Sequence, residues 1–434
     1  MRPSSAVSIE LAKHHGLENT YTTFDQIQGT ASITVDSDTP VENISILFEG
    51  TAKVSIGRET CTLSSAQATQ TFLQLRQPIT RGTEAVPKVL HPGCSYKIPF
   101  TFVVPQYLPC HSCNHDTSCS DLQHAHLQLP PTLDDSRLGR GKWPTPNYAS
   151  SGKCRISYRV RVVLPKGAIP QSRRLSRPVG CTKNVRVLPT AVHAPHPGPS
   201  LVSSEVCTRR KKILSRGFAH PGLGELVLEA SHISALSLPD PIESNDMHST
   251  MSINLRFNPL ADAAPPQLRK VCARLQASTF YSLTPWEDYP SWTDWGLATG
   301  WDRGAFTETF PVMAFSMGSL GWEKHRSPTD DGTSSCGYYY YTASIVLPIV
   351  LPPHRIHTPT FHSCLISRTY SLNLRLAYRT PKYALKSTGI TIKVPLTLQY
   401  TPKNGSMSVG DADTSLSHAT VVDIPLPPEY AAAA

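Results

Sequence analysis

Residues 154–164 read CRISYRVRVVL, and this stretch decides the fold class. Its apolar side chains alternate with polar or charged ones at period two, as in a β-strand with one face in a core and the other in solvent. Several of its residues are β-branched or aromatic, and such residues favour strands. The stretch therefore predicts a half-buried strand inside a sheet.

The same pattern recurs on both sides of this strand. Short alternating runs, separated by glycine- and proline-rich turns, occur at residues 29–35, 44–56, 71–75, 96–104, 183–188, 224–230, 251–257 and 271–280. We find no apolar run of helical period to compete with them. Many short strands of this kind predict an all-β protein built from two antiparallel, immunoglobulin-like β-sandwiches.

Charge and cysteine content indicate the kind of partner and the cellular compartment of the protein. The chain has 434 residues, a net charge of +9 and 11 cysteines. Basic stretches at residues 173–174 and 209–212 would attract an acidic membrane surface or acidic protein tails, and the alternative is a solvated basic face. No nucleic-acid-binding motif accompanies the charge, so we expect no nucleic-acid partner. The odd cysteine count and the lack of a signal-peptide pattern predict reduced thiols and a cytoplasmic protein.

Proline-rich segments and shifts in composition predict how the chain is divided into domains. We expect a first sandwich over residues 1–190, a linker at 191–205 marked by the prolines of 195–199, and a second sandwich over 206–401. Five of the six tryptophans lie between Trp286 and Trp322, which predicts an insertion at about 285–340. These tryptophans form either an exposed interaction patch or a buried cover over a sheet end or domain interface. Burial is the favoured interpretation, because large aromatic side chains mostly bury.

The last motif of the chain is Pro427-Pro428-Glu429-Tyr430, within the predicted flexible tail at 402–434. It has the PPxY form, which WW domains of HECT-type ubiquitin ligases bind. In that mode Pro427 and Pro428 lie on the groove's aromatic side chains and Tyr430 fills a second pocket. The alternative is a chance match, because the chain contains 39 prolines. The small, polar residues of 403–420, a suitable tether, favour the ligand interpretation.

A cluster of thiols and imidazoles follows residue 109. Cys110, Cys113, Cys119 and His115 have plausible spacing for zinc, which binds four such ligands in a tetrahedron, and His124 and His126 lie close behind. The alternative, favoured by the lack of a second Cys-x-x-Cys, is a loop of free thiols. No His-Glu-x-x-His, Gly-x-Ser-x-Gly or phosphate-loop motif is present. We therefore predict no catalytic residues and a protein that is not an enzyme; an enzyme that uses this cluster is the least favoured interpretation.

Ser176 lies in a basic stretch, Arg173-Arg174-Leu175-Ser176-Arg177-Pro178, between two predicted strands. Basic residues three and two positions before a serine suit a basophilic kinase. Phosphorylated Ser176 would then suit a phosphoserine-binding adaptor, which reads phosphate with clustered arginines. The alternative is an ordinary basic hairpin tip.

Several motifs carry a resemblance to a known family. Residues 21–30, YTTFDQIQGT, look like the opening strand pair of arrestin N-domains, and residues 98–105, IPFTFVVP, are similar to their f-P-F-x-F-x-x-P strand. In the second half, residues 359–372, PTFHSCLISRTYSL, and 390–396, ITIKVPL, resemble two strands of arrestin C-domains. The order of these motifs over residues 7–400, together with the terminal PPxY, resembles the fungal α-arrestins.

The resemblance implies a function. Fungal α-arrestins bind cytosolic tails of plasma-membrane transporters or receptors and recruit a WW-domain ubiquitin ligase, so that the cargo is ubiquitinated and internalised. It therefore implies an adaptor in the cytoplasm, peripheral at the plasma membrane or endosomes, that contacts ubiquitin as well as ligase and cargo. The alternative is a trafficking or signalling scaffold that recruits no ligase.

Overall fold

The computed structural model describes residues 5–13, 19–57, 65–79, 87–133, 153–164, 180–190, 209–215, 222–231, 235–238, 249–260, 263–291, 302–318, 321–326, 339–351, 357–379 and 388–400. These residues form an all-β sandwich protein, as the alternating stretches predict. One α-helix and two short 3-10 turns are the helical elements of this described part. None of its helices is long and apolar enough to cross a bilayer.

The first half of the chain forms two main sheets. Its strands are β1 (Ala6–Leu11), β2 (Thr20–Tyr21), β3 (Gln26–Thr34), β4 (Thr39–Pro40), β5 (Ser45–Gly57), β6 (Ser65–Arg76), β7 (Val89–Leu90), β8 (Ser95–Val103), β9 (Cys154–Val163) and β10 (Gly180–Val187). A three-stranded sheet has the order β1-β3-β8, and a five-stranded sheet has the order β2-β10-β9-β5-β6. β4 pairs with β7, and 3-10 turns lie at Val41–Asn43 and Cys110–Ser112.

β9 shows why this half is a sandwich. Its alternate residues, from Cys154 to Val162, are buried, whereas the residues between them are half-buried or exposed. The buried face packs with apolar residues of both sheets, such as Phe48 of β5 and Phe102 of β8, whose ring centroids are 5.8 Å apart. The prediction of a half-buried strand at residues 154–164 is therefore confirmed.

The second half repeats this plan. Its strands are β11 (Arg209–Ser215), β12 (Gly222–Ala230), β13 (Leu236–Ser237), β14 (Ser249–Pro259), β15 (Gln267–Ser282), β16 (Arg303–Ser316), β17 (Glu323–Arg326), β18 (Tyr339–Ile349), β19 (Phe361–His362), β20 (Ile366–Arg379), β21 (Thr388–Leu396) and β22 (Leu398–Gln399). One five-stranded sheet has the order β11-β12-β14-β18-β17, and the other the order β16-β15-β20-β19 with β21 also paired to β20. β13 pairs with β22 in parallel. Buried residues of both five-stranded sheets form a second core.

The boundary between the two cores does not coincide with the predicted linker. The first core contains Tyr281, Phe361, Leu365 and Ile366 from the second half, and the second core begins with Leu188. The ends of β15 and β20 therefore pack against the first-half core. The described residues thus show two cores with shared contacts, and the division into separate domains stays a prediction.

Part of the predicted tryptophan-rich insertion is regular strand. β16 pairs with β15 along almost its whole length, and β17 pairs with β18. The alternation of β16 was missed because it is an edge strand with few buried residues and because Pro311 lies where the pairing register shifts. Proline is tolerated at such bulges and edges. The span 285–340 therefore contains these two regular strands, and its assignment as an insertion stays a prediction.

Candidate metal centre

The connection between β8 and β9 carries the whole predicted cysteine–histidine cluster, and we call residues 104–133 the Cys/His loop. It contains α1 (Ser120–Leu127), which the sequence did not predict. The base of the loop is closed by hydrogen bonds from Leu108 N to Leu127 O (2.7 Å) and from Leu129 N to Gln106 O (3.3 Å). The hydroxyl of Tyr158 in β9 donates to the carbonyl of Pro130. Val104 and Leu108 near the start of the loop and Leu129 and Leu133 near its end belong to the first core, so both ends of the loop are fixed to it.

α1 is short, and tertiary contacts rather than periodicity position it. No side chain caps its N-terminus, and its two buried residues, Leu122 and His126, are four positions apart. Residues at that spacing share one helix face. His126 therefore points inward, whereas His124, two positions earlier, is exposed.

A turn of the second half meets this loop. Residues 363–365 join β19 to β20, and the Ser363 hydroxyl donates to Ile366 O at 2.7 Å. The turn also receives two backbone hydrogen bonds, one from the last residue of β15, Ser282 N to Leu365 O (2.9 Å), and one from the segment after it, Trp286 N to Cys364 O (2.8 Å). These bonds fix Cys364 in place.

Four potential metal ligands converge where the loop and the turn meet. The ligand atoms of Cys113, His115, His126 and Cys364 all lie within 4.8 Å of one another. The Sγ of Cys113 is 3.3 Å from Nε2 of His115 and 3.7 Å from Nδ1 of His126. Two thiols and two imidazoles are thus grouped around one point.

The orientation of the histidines suits metal binding. Nδ1 of His115 lies 3.0 Å from the carbonyl oxygen of Asp116, to which it donates as N–H, so the lone pair of Nε2 faces Cys113. A second nitrogen held by a carbonyl is the usual support of a metal-bound histidine. His126 faces Cys113 through Nδ1, and its buried Nε2 has no hydrogen-bond partner among the described residues.

Burial sets the protonation states of the cluster. Cys113, His126 and Cys364 are buried, and His115 is half-buried. Burial raises the pKa of the Cys113 thiol, and burial together with nearby Cys113 raises the pKa of Cys364 to about 12. Burial, then His115 and His362, lowers the pKa of His126 to about 3. Near neutral pH the buried members are therefore uncharged, and a metal would have to displace the thiol protons.

The structure brings together only part of the predicted zinc set. Cys113 and His115 are in the cluster, but Cys110 and Cys119 lie outside it. Cys110 is exposed in a 3-10 turn. Cys119 is half-buried directly before α1. Of the predicted set Cys110, Cys113, Cys119 and His115, the structure therefore groups Cys113 and His115 and leaves Cys110 and Cys119 outside, and zinc binding stays a prediction.

His126 and Cys364 take the two remaining positions. His126 is visible in the sequence as a histidine close to Cys113, but only the unpredicted helix shows that it points inward. Cys364 lies within the stretch 359–372, far along the chain, and no local spacing connects it to the Cys/His loop. Only the packing of the turn against the loop reveals it.

The described tryptophans follow the burial interpretation. Trp286 is buried, and Trp322 packs against the second core while its Nε1 donates to Pro266 O at 3.2 Å. Ser118 N donates to Glu287 O at 2.8 Å, so the segment after β15 also contacts the Cys/His loop. The remaining tryptophans lie outside the described residues.

The other predicted sites are described in part or not at all. Pro427, Pro428 and Tyr430 lie outside the described residues, as does Ser176. The basic stretch at 209–212 forms most of β11, an edge strand. Within it, Arg209, Arg210 and Lys211 are exposed, whereas Lys212 is half-buried and its Nζ donates to Gly389 O at 2.6 Å.

Comparison with known proteins adds no relative. No protein-family model and no curated protein matches this chain. The function is therefore argued from the chain's own residues.

Proposed function

We propose that the protein is an arrestin-like adaptor that links membrane cargo to a WW-domain ubiquitin ligase of the HECT type. The observation that carries this proposal is the motif Pro427-Pro428-Glu429-Tyr430, which follows the last described strand of an all-β sandwich protein. Two adjacent prolines favour the extended helix that WW domains recognise. In this role the chain makes and breaks no bonds, and it acts by holding ligase and cargo together.

The position of the motif suits this role. β22 ends at Gln399, and Tyr400 is buried in the second core, so the motif follows the ordered sheets at a distance in sequence. The residues between are rich in glycine, serine and aspartate, a composition that predicts a flexible tether. A tether of that length spans roughly 30 Å. It would place a ligase near cargo on the folded part at high effective concentration.

The cargo-binding part of the proposal rests on β11. Among the described residues this strand pairs with β12 alone and lies at the edge of its sheet, a position that suits the addition of a further strand. Its exposed cations, Arg209, Arg210 and Lys211, favour an acidic partner. Acidic cytosolic tails of transporters or receptors, and the inner face of the plasma membrane or endosome, have this chemistry.

The test is binding of purified WW domains from a HECT-type ligase to the full-length chain. A short extended ligand buries little area, so we expect weak binding, near or weaker than the micromolar range that corresponds to about −8 kcal/mol. Tyr430→Ala empties the second pocket and should reduce affinity at least about tenfold, equivalent to 1.4 kcal/mol. Glu429→Ala, at the variable position of the motif, is the matched control and should bind like the wild type.

The alternative is a scaffold that recruits no ligase. Equal binding by wild type and Tyr430→Ala would favour it, as would undetectable binding by both. A cell assay then separates the two functions. With the adaptor, cargo ubiquitination depends on Tyr430, whereas with the scaffold it does not.

A further inference from the structure

We propose that Cys113, His115, His126 and Cys364 bind one zinc ion, which fastens the Cys/His loop of the first half to the 363–365 turn of the second half. The set differs from the one that local spacing predicts. His126 and Cys364 replace Cys110 and Cys119, and Cys364 comes from the other half of the chain. It is independent of the proposed adaptor function.

The distances fit a four-coordinate site. Zinc bonds of about 2.3 Å to sulfur and 2.0 Å to nitrogen give a tetrahedron with edges of roughly 3.3–3.8 Å. The separations of Cys113 Sγ from His115 Nε2 and His126 Nδ1 are 3.3 and 3.7 Å, within that range. The widest separation allowed by the cluster is 4.8 Å, so a contraction of about 1 Å completes the tetrahedron.

The chemistry of the donors selects the metal. Two thiolates and two imidazoles in a tetrahedron form the usual structural zinc site. Calcium and magnesium prefer oxygen ligands, and no carboxylate belongs to the cluster. Because four protein ligands fill the coordination shell and three of them are buried, no position is left open for a substrate. The site is therefore structural rather than catalytic.

A disulfide between Cys113 and Cys364 is the competing use of the two thiols. It would leave both histidines of the cluster without a role. His126 is 1 % exposed, and its only described hydrogen-bond partner at Nδ1 is the Cys113 sulfur. Burying an imidazole with so few partners is unfavourable, and a metal bond at Nδ1 compensates for it. The geometry of the histidines thus favours zinc.

The proposed ion would act where the two halves already meet. The turn that holds Cys364 contains Leu365 and lies between Phe361 and Ile366, and all three residues belong to the first-half core. Hydrophobic contacts there are non-directional, whereas a tetrahedral ion fixes angles as well as distances. Zinc would thus set the orientation of the turn on the loop.

The experiment uses the full-length chain, purified under reducing conditions, incubated with zinc and then desalted. Elemental mass spectrometry should find about one equivalent of zinc. Cys113→Ser and Cys364→Ser should lose most of it. Cys110→Ser and Cys119→Ser, which change thiols of the same loop outside the cluster, are matched controls and should retain it. Circular dichroism checks that each variant keeps its strands.

A second measurement remains informative if a ligand variant fails to fold. Wild-type protein loaded with cobalt(II) should show the absorption of a tetrahedral site and a thiolate-to-cobalt charge-transfer band. Folded wild type that retains neither metal would overturn the proposal. So would full zinc retention by Cys364→Ser, loss of zinc by both control variants, or a Cys113–Cys364 disulfide in the wild type by mass spectrometry without reductant.

Discussion

The guanidinium of Arg368 lies 2.7 Å from the Oε2 atom of Glu308, which joins β20 to β16 across the intervening β15. Arg368 also donates to Thr279 Oγ1 at 2.6 Å and to the Tyr370 hydroxyl at 2.8 Å. Burial lowers the pKa of Arg368, but Tyr370 and Glu308 outweigh it and raise the pKa above the ordinary value. The arginine therefore stays charged inside the sheet because its partners surround it.

We expect Glu308→Gln to reduce the free energy of unfolding by about 2 kcal/mol. The substitution leaves Arg368 buried with a neutral partner, and charge-assisted hydrogen bonds are worth roughly 1.5–3 kcal/mol. The Glu308 side chain is 28 % exposed, so the loss should stay below that of a fully buried pair. Chemical denaturation measures it, with Glu323→Gln as control because that side chain is 80 % exposed. Equal midpoints for Glu308→Gln and Glu323→Gln would contradict the prediction.

This pair also shows how far sequence reasoning reaches. Arg368 and Tyr370 lie in a stretch whose resemblance predicts a strand, and β20 is that strand. Glu308 lies in the span assigned to an insertion, so its strand and its partner were both missed. Alternation reports which face of a strand is buried, but it does not report which strands are neighbours.

The candidate metal centre was likewise predicted only in part from the sequence. Cys113 and His115 are two positions apart in the sequence, and both belong to the set that spacing predicted. The inward position of His126 depends on a helix of eight residues, which is too short for its hydrophobic periodicity to be recognised in the sequence. Cys364 needed the packing of two distant segments, which no local pattern contains. Cys110 and Cys119 were included because spacing cannot distinguish a thiol that points into the cluster from one that points away.

A second prediction concerns Gly29 in β3. A Cβ atom at this position would lie 2.4 Å from the backbone oxygen of Glu10 and 2.5 Å from the ring of Phe100. Phe100 is buried in the first core, so neither neighbour can move away easily. We expect Gly29→Ala to destabilise the protein by about 1–3 kcal/mol, the usual effect of overpacking.

The matched control is Gly57, at the end of β5. A Cβ atom there meets no described atom within 4 Å. Gly57→Ala should therefore be neutral or slightly stabilising, because alanine restricts the unfolded chain. Thermal unfolding of the two variants tests the prediction. Similar melting temperatures would contradict it, because they would mean that β3 accommodates a methyl group at position 29 without strain.

A third prediction concerns regulation at Ser176. Phosphorylation adds a charge of about −2 beside Arg173, Arg174 and Arg177, which creates a ligand for a phosphoserine-binding adaptor. Treatment with a basophilic kinase should make the wild type bind such an adaptor, and Ser176→Ala should remove this binding. Ser172→Ala is the control, because Ser172 precedes both arginines and lacks the basic residues before it. Equal adaptor binding by wild type and Ser176→Ala would exclude the site.

The last prediction separates folding from the tail through two truncations. The first ends the chain after Thr401 and removes the motif at Pro427–Tyr430. It should unfold with the same free energy as the full chain, because both cores are complete before that point. It should also lose WW-domain binding entirely. A lowered free energy of unfolding would mean that residues after 401 contribute to the folded part.

The second truncation ends the chain after Leu396 and removes β22 and Tyr400. Leu398 is fully buried, and its backbone nitrogen donates to Thr360 Oγ1 at 2.9 Å. The Tyr400 hydroxyl donates to His357 O at 3.1 Å, and Leu238 N donates to Gln399 O at 2.7 Å. Loss of one large buried side chain costs roughly 2–5 kcal/mol, so losing Leu398 and Tyr400 together should remove much of a typical stability of about 5–15 kcal/mol. Chemical denaturation and circular dichroism of the two truncations, purified in parallel, should therefore show a native-like protein ending at 401 and a strongly destabilised one ending at 396. Equal stability of the two would mean that β22 and Tyr400 are dispensable for the second core despite their burial.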